Sequence, residues 1–502
     1  MKKFSFVRDL VFVVVVLGGL AALGASVFPE RKDLGQTWLD TVPLAASGVP
    51  DVAAEIDALF AKSWPDESVQ PAPDAPPGAI ARRLSLALTG TIPSLEEIRA
   101  LEKYLADGGD PALTAQFWLD RLLDNRDDRR AGDYLAERLA RSMVGTHLDP
   151  FIVYRRRRFV MWLSEQIREN RPWNDMVREM IAGRGLWTDH PALNFLTSTI
   201  EQGNDRPHPN PETLAAMTSQ AFLGVRLDCA QCHDHPFVNA WTQDTFRGLA
   251  AFFTQTRNSL KGIHDDPSAP LEFTDLTTND KVTVAAQAPF LPELLPGESR
   301  GSLRERLADW LVDPQNNYFA EATANRMWAL LVGRAMAEPV DDFVAQGPPP
   351  ETLKRLARDF SEHGYDLKRL IRVIAATSAF RRDSRAEFEI TEAHECSGAA
   401  FPLTRLRPEQ VAGAVLQAAS LPTIDQHSHI FVQFGRFEGE QKFVERYGDA
   451  GGDELREQNG TIPQRLLMLN GGMVAEQVKA DATNASQQLA MLAKSDDEAI
   501  RL

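Results

Sequence analysis

The chain has 502 residues, a formal net charge of −16 and only three cysteines. An acidic balance of this size argues against a nucleic-acid binder, which carries a basic footprint. Three cysteines cannot build a disulfide framework, and the length suffices for about two or three domains with ordinary cores.

Met1-Lys2-Lys3 and Arg8 precede an uncharged apolar run of about 19 residues, Leu10 to Phe28, near the length that spans a bilayer as a helix. Basic residues ahead of the run favour a cytoplasmic N-terminus, with the rest of the chain exported. Ala22, Gly24 and Ala25 offer small-residue cleavage sites, so a signal peptide competes with an anchor. The length of the run favours the anchor. The expected location is therefore the cell envelope, with residues 1–28 in the inner membrane and the bulk on the exported (periplasmic) side.

Residues 29–78 carry Pro65, Pro71, Pro73, Pro76 and Pro77 and read as a tether around one short helix near Val52 to Lys62. Beyond it the chain reads as mainly α. Ser94-Leu-Glu-Glu97 is a capping box, and Gly108-Gly109 closes the helix it opens. Helical patterns follow over 112–124, 128–144, 151–169 and 174–182. Asn210-Pro211-Glu212 then places an N-cap and a first-turn proline ahead of a helix to Leu223. Thr242 caps a helix through Phe253 on which Phe246, Leu249, Ala250 and Phe253 recur at helical spacing.

These elements define a first helical domain over 79–256. An irregular connection follows over 257–299, with two short strands expected at Leu271–Thr274 and Val282–Ala285. The second helical domain, 300–502, carries helical patterns at 303–311, 318–332, 351–362 and 367–379, with stops at Gly333 and Gly364. Pro408-Glu409 opens another helix to Ala419, and residues 432–460, rich in Gly and charge, read as an irregular loop.

The chemistry concentrates in Cys229-Ala-Gln-Cys232-His233, followed by Asp234-His235-Pro236. Two thiols at this spacing, with a histidine directly after the second, form the attachment pattern of a c-type haem. Each thiol adds to one vinyl group on the same haem edge, and the imidazole becomes an axial iron ligand. Cys229 and Cys232 are then the anchors and His233 the proximal ligand. For a distal ligand, sequence neighbourhood offers Met217, His208 and His264.

The stretch Phe222–Phe237, with Trp241-Thr-Gln-Asp244 and Leu249-Ala-Ala-Phe-Phe253, resembles a large planctomycete cytochrome-like family. Its members pair a planctomycete cytochrome C type domain with a second domain of unknown function. Leu88-Thr-Gly-Thr-Ile-Pro93 resembles the opening of the first domain. Ala324-Asn-Arg-Met-Trp328, Gly333-Arg334, Pro339-Val-Asp-Asp-Phe343, Gly364-Tyr-Asp-Leu-Lys368 and Ile462-Pro-Gln464 resemble the second. The resemblance covers nearly everything after residue 50. It fixes identity better than function, because the cytochrome label rests on the Cys-x-x-Cys-His pattern; that pattern is what points to haem c as cofactor, with electron transfer or ligand binding at iron as the expected activity. Val238 departs from it, since many relatives carry Asp there. Leu502 falls before the family's usual end, which implies a missing C-terminal stretch.

Three other readings of the motif stay open. Zinc accepts all of Cys229, Cys232, His233 and His235. The pair Cys229 and Cys232 also suits dithiol chemistry, although no thioredoxin-like strand–helix alternation surrounds it. The last reading is a packed bend in a haem-free envelope protein. Expected partners are the membrane, through the N-terminal helix, and an unidentified redox protein. Outside the motif, Cys396 reads as a small buried side chain, Tyr154-Arg-Arg-Arg-Arg158 as a solvated, ion-paired face, and Asp341-Asp342 as an ion-pair network with Arg326 and Arg334. His427-Ser-His429 is a weak metal motif.

Overall fold

The structure is a computed structural model. It describes residues 48–477 except 63, 65–68, 126, 147–153, 201–207, 235–237, 239–240, 275–279, 421, 429 and 448–460, with a few isolated positions after 477. The expected membrane segment lies outside the described residues, as do His235 and His429. Among the described residues no helix is long and apolar enough to cross a membrane.

The fold is mainly helical, as its periodicity requires. Helix α1 (Val49–Lys62) is the short helix expected in the proline-rich stretch. Its Val49, Val52, Ile56 and Phe60 recur at helical spacing and are buried. The next helices are α2 (Pro77–Thr89) and α3 (Leu95–Ala106). The capping box of α3 forms as predicted: Glu97 N donates to Ser94 Oγ at 3.1 Å, and Ser94 N donates to Glu97 Oε2 at 3.0 Å. Then come α4 (Thr114–Leu119), α5 (Arg130–Val144), α6 (Arg156–Arg168) and α7 (Trp173–Ala182).

Helix α8 (Pro211–Phe222) starts where the sequence places it. Asn210 Oδ1 accepts from Glu212 N at 3.0 Å and from Thr213 N at 3.1 Å, satisfying two donors that a helix start leaves without partners. Helix α9 (Gln243–Ala251) opens on Thr242, whose Oγ1 accepts from Thr245 N at 3.3 Å.

The connection holds two antiparallel pairs: β1 (Thr256–Ser259) with β2 (Gly262–Asp265), and β3 (Glu272–Thr274) with β4 (Lys281–Thr283). The second pair matches the expected strands within about two residues. The first was not expected, because Thr256-Arg-Asn-Ser259 shows no apolar alternation. Its register is held from outside, by Gly185 N donating to Ile263 O at 2.9 Å and Ile263 N donating to Gly185 O at 2.8 Å.

Helices α10 (Leu303–Leu311), α11 (Asn317–Val332), α12 (Glu351–Glu362) and α13 (Leu367–Ala376) follow. Helix α11 is buried at every position from Phe319 to Val332, so it is the central element, and it ends at Gly333 in the left-handed region (φ 92°). The pattern predicted over 367–379 breaks at Thr377, where the backbone is extended. There Thr377 Oγ1 accepts from Phe380 N at 3.2 Å and starts a separate turn.

After α14 (Pro408–Ala418), the loop expected over 432–460 is corrected in its first part by α15 (Ile430–Tyr447). Gly435 and Gly439 weaken the helical signal, each by about 1 kcal/mol. Phe443 and Tyr447, one turn apart, are nevertheless buried with Ala412, and Arg436–Glu440 and Lys442–Glu438 pair along the surface. Helix α16 (Ile462–Asn470) is the last used below.

One apolar core runs from Val49 to Phe401. Helix α1 packs on α12 and α13, α2 on α11, α8 on α11, and α7 on α10. The two predicted helical regions therefore share a single interior, and the cysteine motif sits at its edge.

Candidate functional site

The motif occupies the turn between α8 and α9. Leu223, Val225 and Leu227 are buried and bring the chain out of α8 along the core. Asp228–Gln231 then form one short 3-10 turn. Its residues divide by face: Leu227 and Ala230 are wholly buried, while Cys229, Cys232 and His233 are exposed. Both thiols are free. The apolar residues anchor the turn and the reactive ones leave it on the solvent side.

Both flanking helices hold this turn. Gln231 Nε2 donates to Glu212 Oε2 in the first turn of α8 at 3.3 Å. Gln243, the first residue of α9, donates its Nε2 to Cys232 O at 2.6 Å and its backbone N to Asp234 Oδ1 at 2.9 Å. His233 Nδ1 lies 2.8 Å from Asp234 O. A carbonyl oxygen only accepts, so Nδ1 carries the proton and the neutral ring keeps its lone pair on Nε2. Exposed as it is, the Cys229 thiol still loses some hydration to the neighbouring chain, which pushes it above its usual range; the carboxylates of Asp228 and Asp342 add to this against Arg226.

The turn is also fastened to the segment after α11, a contact the sequence reading missed. Arg226 donates its Nη2 and Nε to Asp341 Oδ2 at 2.6 and 3.1 Å, and its backbone N to Asp342 Oδ1 at 2.9 Å. Gln220 Nε2 reaches the same Asp341 oxygen at 2.7 Å. Gly224 has φ 65°, and a Cβ there would lie 2.1 Å from the Phe343 ring. The Asp341-Asp342 network was anticipated, but Arg226 stands in the place expected for Arg334. Arg334 instead meets Glu392 at 2.8 Å and Glu338 at 3.4 Å. Burial raises the Asp341 carboxyl, yet the bonds from Arg226 and Gln220 outweigh it and hold it below the usual carboxylate range.

Of the distal candidates, Met217 is half-buried on α8 and packs on the core. His208 Nδ1 accepts from Asn258 N at 3.3 Å, which puts the proton of the neutral ring on Nε2. His264 sits in β2, its Nδ1 3.1 Å from Gly262 O. Among the described residues no group of three or more His, Cys, Asp or Glu side chains converges as metal ligands.

In the basic run Tyr154 is buried, a correction to the solvated reading, while the arginines lie half-buried to exposed. Arg156 meets Glu137 at 2.8 Å and Arg158 donates to Thr188 O at 3.0 Å. Cys396 is corrected from buried to exposed. It closes a helix of only five residues, Glu392–Cys396, which leaves it at the rim of a cleft of ≈ 470 Å³ with Phe60, Trp328 and Arg334. No motif residue borders that cleft. His427 is exposed in a turn, its backbone N donating to Asp425 Oδ1 at 2.9 Å.

Residues 55–258 match the family described as PSCyt2, a protein of unknown function (DUF1549). Residues 303–446 match PSD1, a protein of unknown function (DUF1553). The chain thus carries two planctomycete-type domains in the expected order, neither with a known function. No curated protein and no solved structure matches the chain.

Proposed function

We propose, for a chain in which a PSCyt2-type domain precedes a PSD1-type domain, an exported and membrane-tethered protein that carries haem c on the Cys229–His233 turn. Its iron then serves electron transfer or the binding of a small ligand. The observation that carries this reading is the division of the turn. Leu227 and Ala230 hold it to the core, while two free thiols and one imidazole face outward.

Attachment adds each S–H across one haem vinyl group, so both thiols must be reachable and unpaired. Cys229 and Cys232 meet that condition. His233 offers Nε2, because the carbonyl of Asp234 holds the proton on Nδ1. A bound haem supplies a redox-active iron; this chain's residues anchor the ring edge and fix the imidazole that ligates it. At Cys229 the surroundings push the thiol up and so do not activate it as a thiolate. The exposure of both cysteines speaks against a merely packed bend.

The test is a reduced pyridine haemochrome spectrum of the full chain, expressed with its own leader in cells that mature c-type haem. A c-type band that survives denaturation, and is lost in the C229S/C232S variant, supports the reading. No band, with a control cytochrome matured in the same cells, overturns it. Metal analysis of that haem-free protein then decides between zinc and a structural role in the envelope.

A further inference from the structure

We infer that the PSD1-type domain acts as a strap for the cysteine turn, and that its segment Glu338–Gln346 sets the position of the residues leading into Cys229. The inference deepens the haem reading, since it names what positions that site, but its geometry stands without any cofactor.

The strap is built from the central helix outward. Asn325, wholly buried on α11, donates its Nδ2 to Ala337 O at 2.7 Å. Its Oδ1 accepts from Met336 N at 3.0 Å and Ala337 N at 3.1 Å. One side chain thus satisfies three backbone groups and fixes the bend by which the chain leaves α11. The next residue, Arg326, points across the domain boundary, its Nη2 3.4 Å from Gln220 O on α8. Asn325 and Arg326 belong to the stretch Ala324–Trp328 that carried the family resemblance.

Four residues at the far end of the strap grip the turn and the last turn of α8 before it. Asp341 takes the Arg226 guanidinium and the Gln220 amide. Asp342 takes the Arg226 backbone N–H. Val344 N approaches Gly224 O at 3.4 Å, and the buried Phe343 ring fills the space a side chain at Gly224 would need. Every one of these contacts falls on Gln220, Gly224 or Arg226. Arg226 stands three residues before Cys229, and the 3-10 turn starts two residues after it. Asp341, Asp342 and Asn325 are therefore positioning residues for a site to which they contribute no ligand.

The experiment measures hydrogen–deuterium exchange on the unloaded full chain and compares the peptide covering 224–234 with one covering α3. In D341A and D342A the turn peptide is expected to exchange about fivefold faster, the effect of losing about one net hydrogen bond. The α3 peptide stays unchanged. D342N keeps an acceptor for Arg226 N and is expected to restore the wild-type rate. Haem attachment, measured in parallel, falls in D341A and D342A and recovers in D342N. Unchanged exchange of the turn in the alanine variants overturns the strap, as does an acceleration shared equally by α3. Faster local exchange in a protein that takes up no haem, wild type included, keeps the strap and removes the haem reading instead.

Discussion

Arg304 meets both oxygens of Asp265 in a fork, Nε to Oδ1 at 2.7 Å and Nη2 to Oδ2 at 3.0 Å, with the guanidinium wholly buried. The remaining nitrogen, Nη1, donates to Ile181 O at 2.9 Å and Gly183 O at 2.8 Å, closing the end of α7. One side chain from α10 thereby ties together β2, α7 and its own helix. Burial raises the Asp265 carboxyl, but Arg304 and then Arg184 outweigh that effect and hold it below the ordinary range.

Removing one partner of such a pair strands the other. Arg304→Leu is expected to cost about 3–5 kcal/mol, because Asp265 stays buried with only Arg184 beside it. Urea denaturation followed by circular dichroism measures this. A loss below about 1 kcal/mol would show the fork to be dispensable.

Glu97 predicts an acid-sensitive step. Its burial raises the carboxyl, yet Arg130 and Arg121 overcome this and bring it from 4.5 to about 2. A depressed folded value adds stability that is complete above about 4.5 and fades as pH falls toward about 2. Glu97→Gln is accordingly expected to destabilise by about 3–4 kcal/mol at pH 7. The gap between variant and wild type should narrow steadily below pH 4.5 in melts taken across that range. A gap independent of pH contradicts the assignment.

Glu321 predicts the opposite slope. Burial in α11 is the main cause that lifts its carboxyl from 4.5 to about 7, with Lys354 opposing and Glu351 adding to it. A raised folded value means that folding favours the protonated form, so stability is present below about 4.5 and is lost as pH rises through about 7. Glu321→Gln removes the cost of ionisation. It is expected to stabilise by up to about 3 kcal/mol at pH 8 and to change little at pH 4. Melting temperatures at the two pH values check the sign.

Gly224 predicts a strained substitution with a specific rescue. Alanine there adopts a left-handed backbone at φ 65°, with its Cβ 2.1 Å from Phe343 Cε1. Gly224→Ala is expected to lose about 2–4 kcal/mol. The double variant G224A/F343A should lose less than the sum of the two singles, since the truncated ring no longer meets the new methyl. Strict additivity in chemical denaturation would rule out the contact.

Much of the helical layout was legible because its signals are local. Ser94, Asn210 and Thr242 each accept from a backbone N–H two or three residues on, so a short window of sequence contains both partners. The hairpin at Thr256–Asp265 was not legible, because backbone groups of Gly185, far away in the chain, hold its register. Helix α15 was hidden by two glycines, whose cost is offset only when Phe443 and Tyr447 find Ala412. Cys396 was misplaced for a similar reason: the length of its helix, not its residue type, leaves it exposed.

The sequence alone determined the spacing of the motif and the caps, since chain spacing and nearest-neighbour hydrogen bonds need no third partner. It placed Cys229, Cys232 and His233 together, and it put them in a bend between two amphipathic helices. Only the tertiary structure decided which side of that bend each residue faces and what holds it. Burial of Leu227 and Ala230 turns the thiols outward. Arg226 finds Asp341 across a separation of 115 residues, a pairing that no periodicity encodes. Such contacts exist only after the chain has closed a long loop, and the shared core of the two domains is what makes that closure favourable.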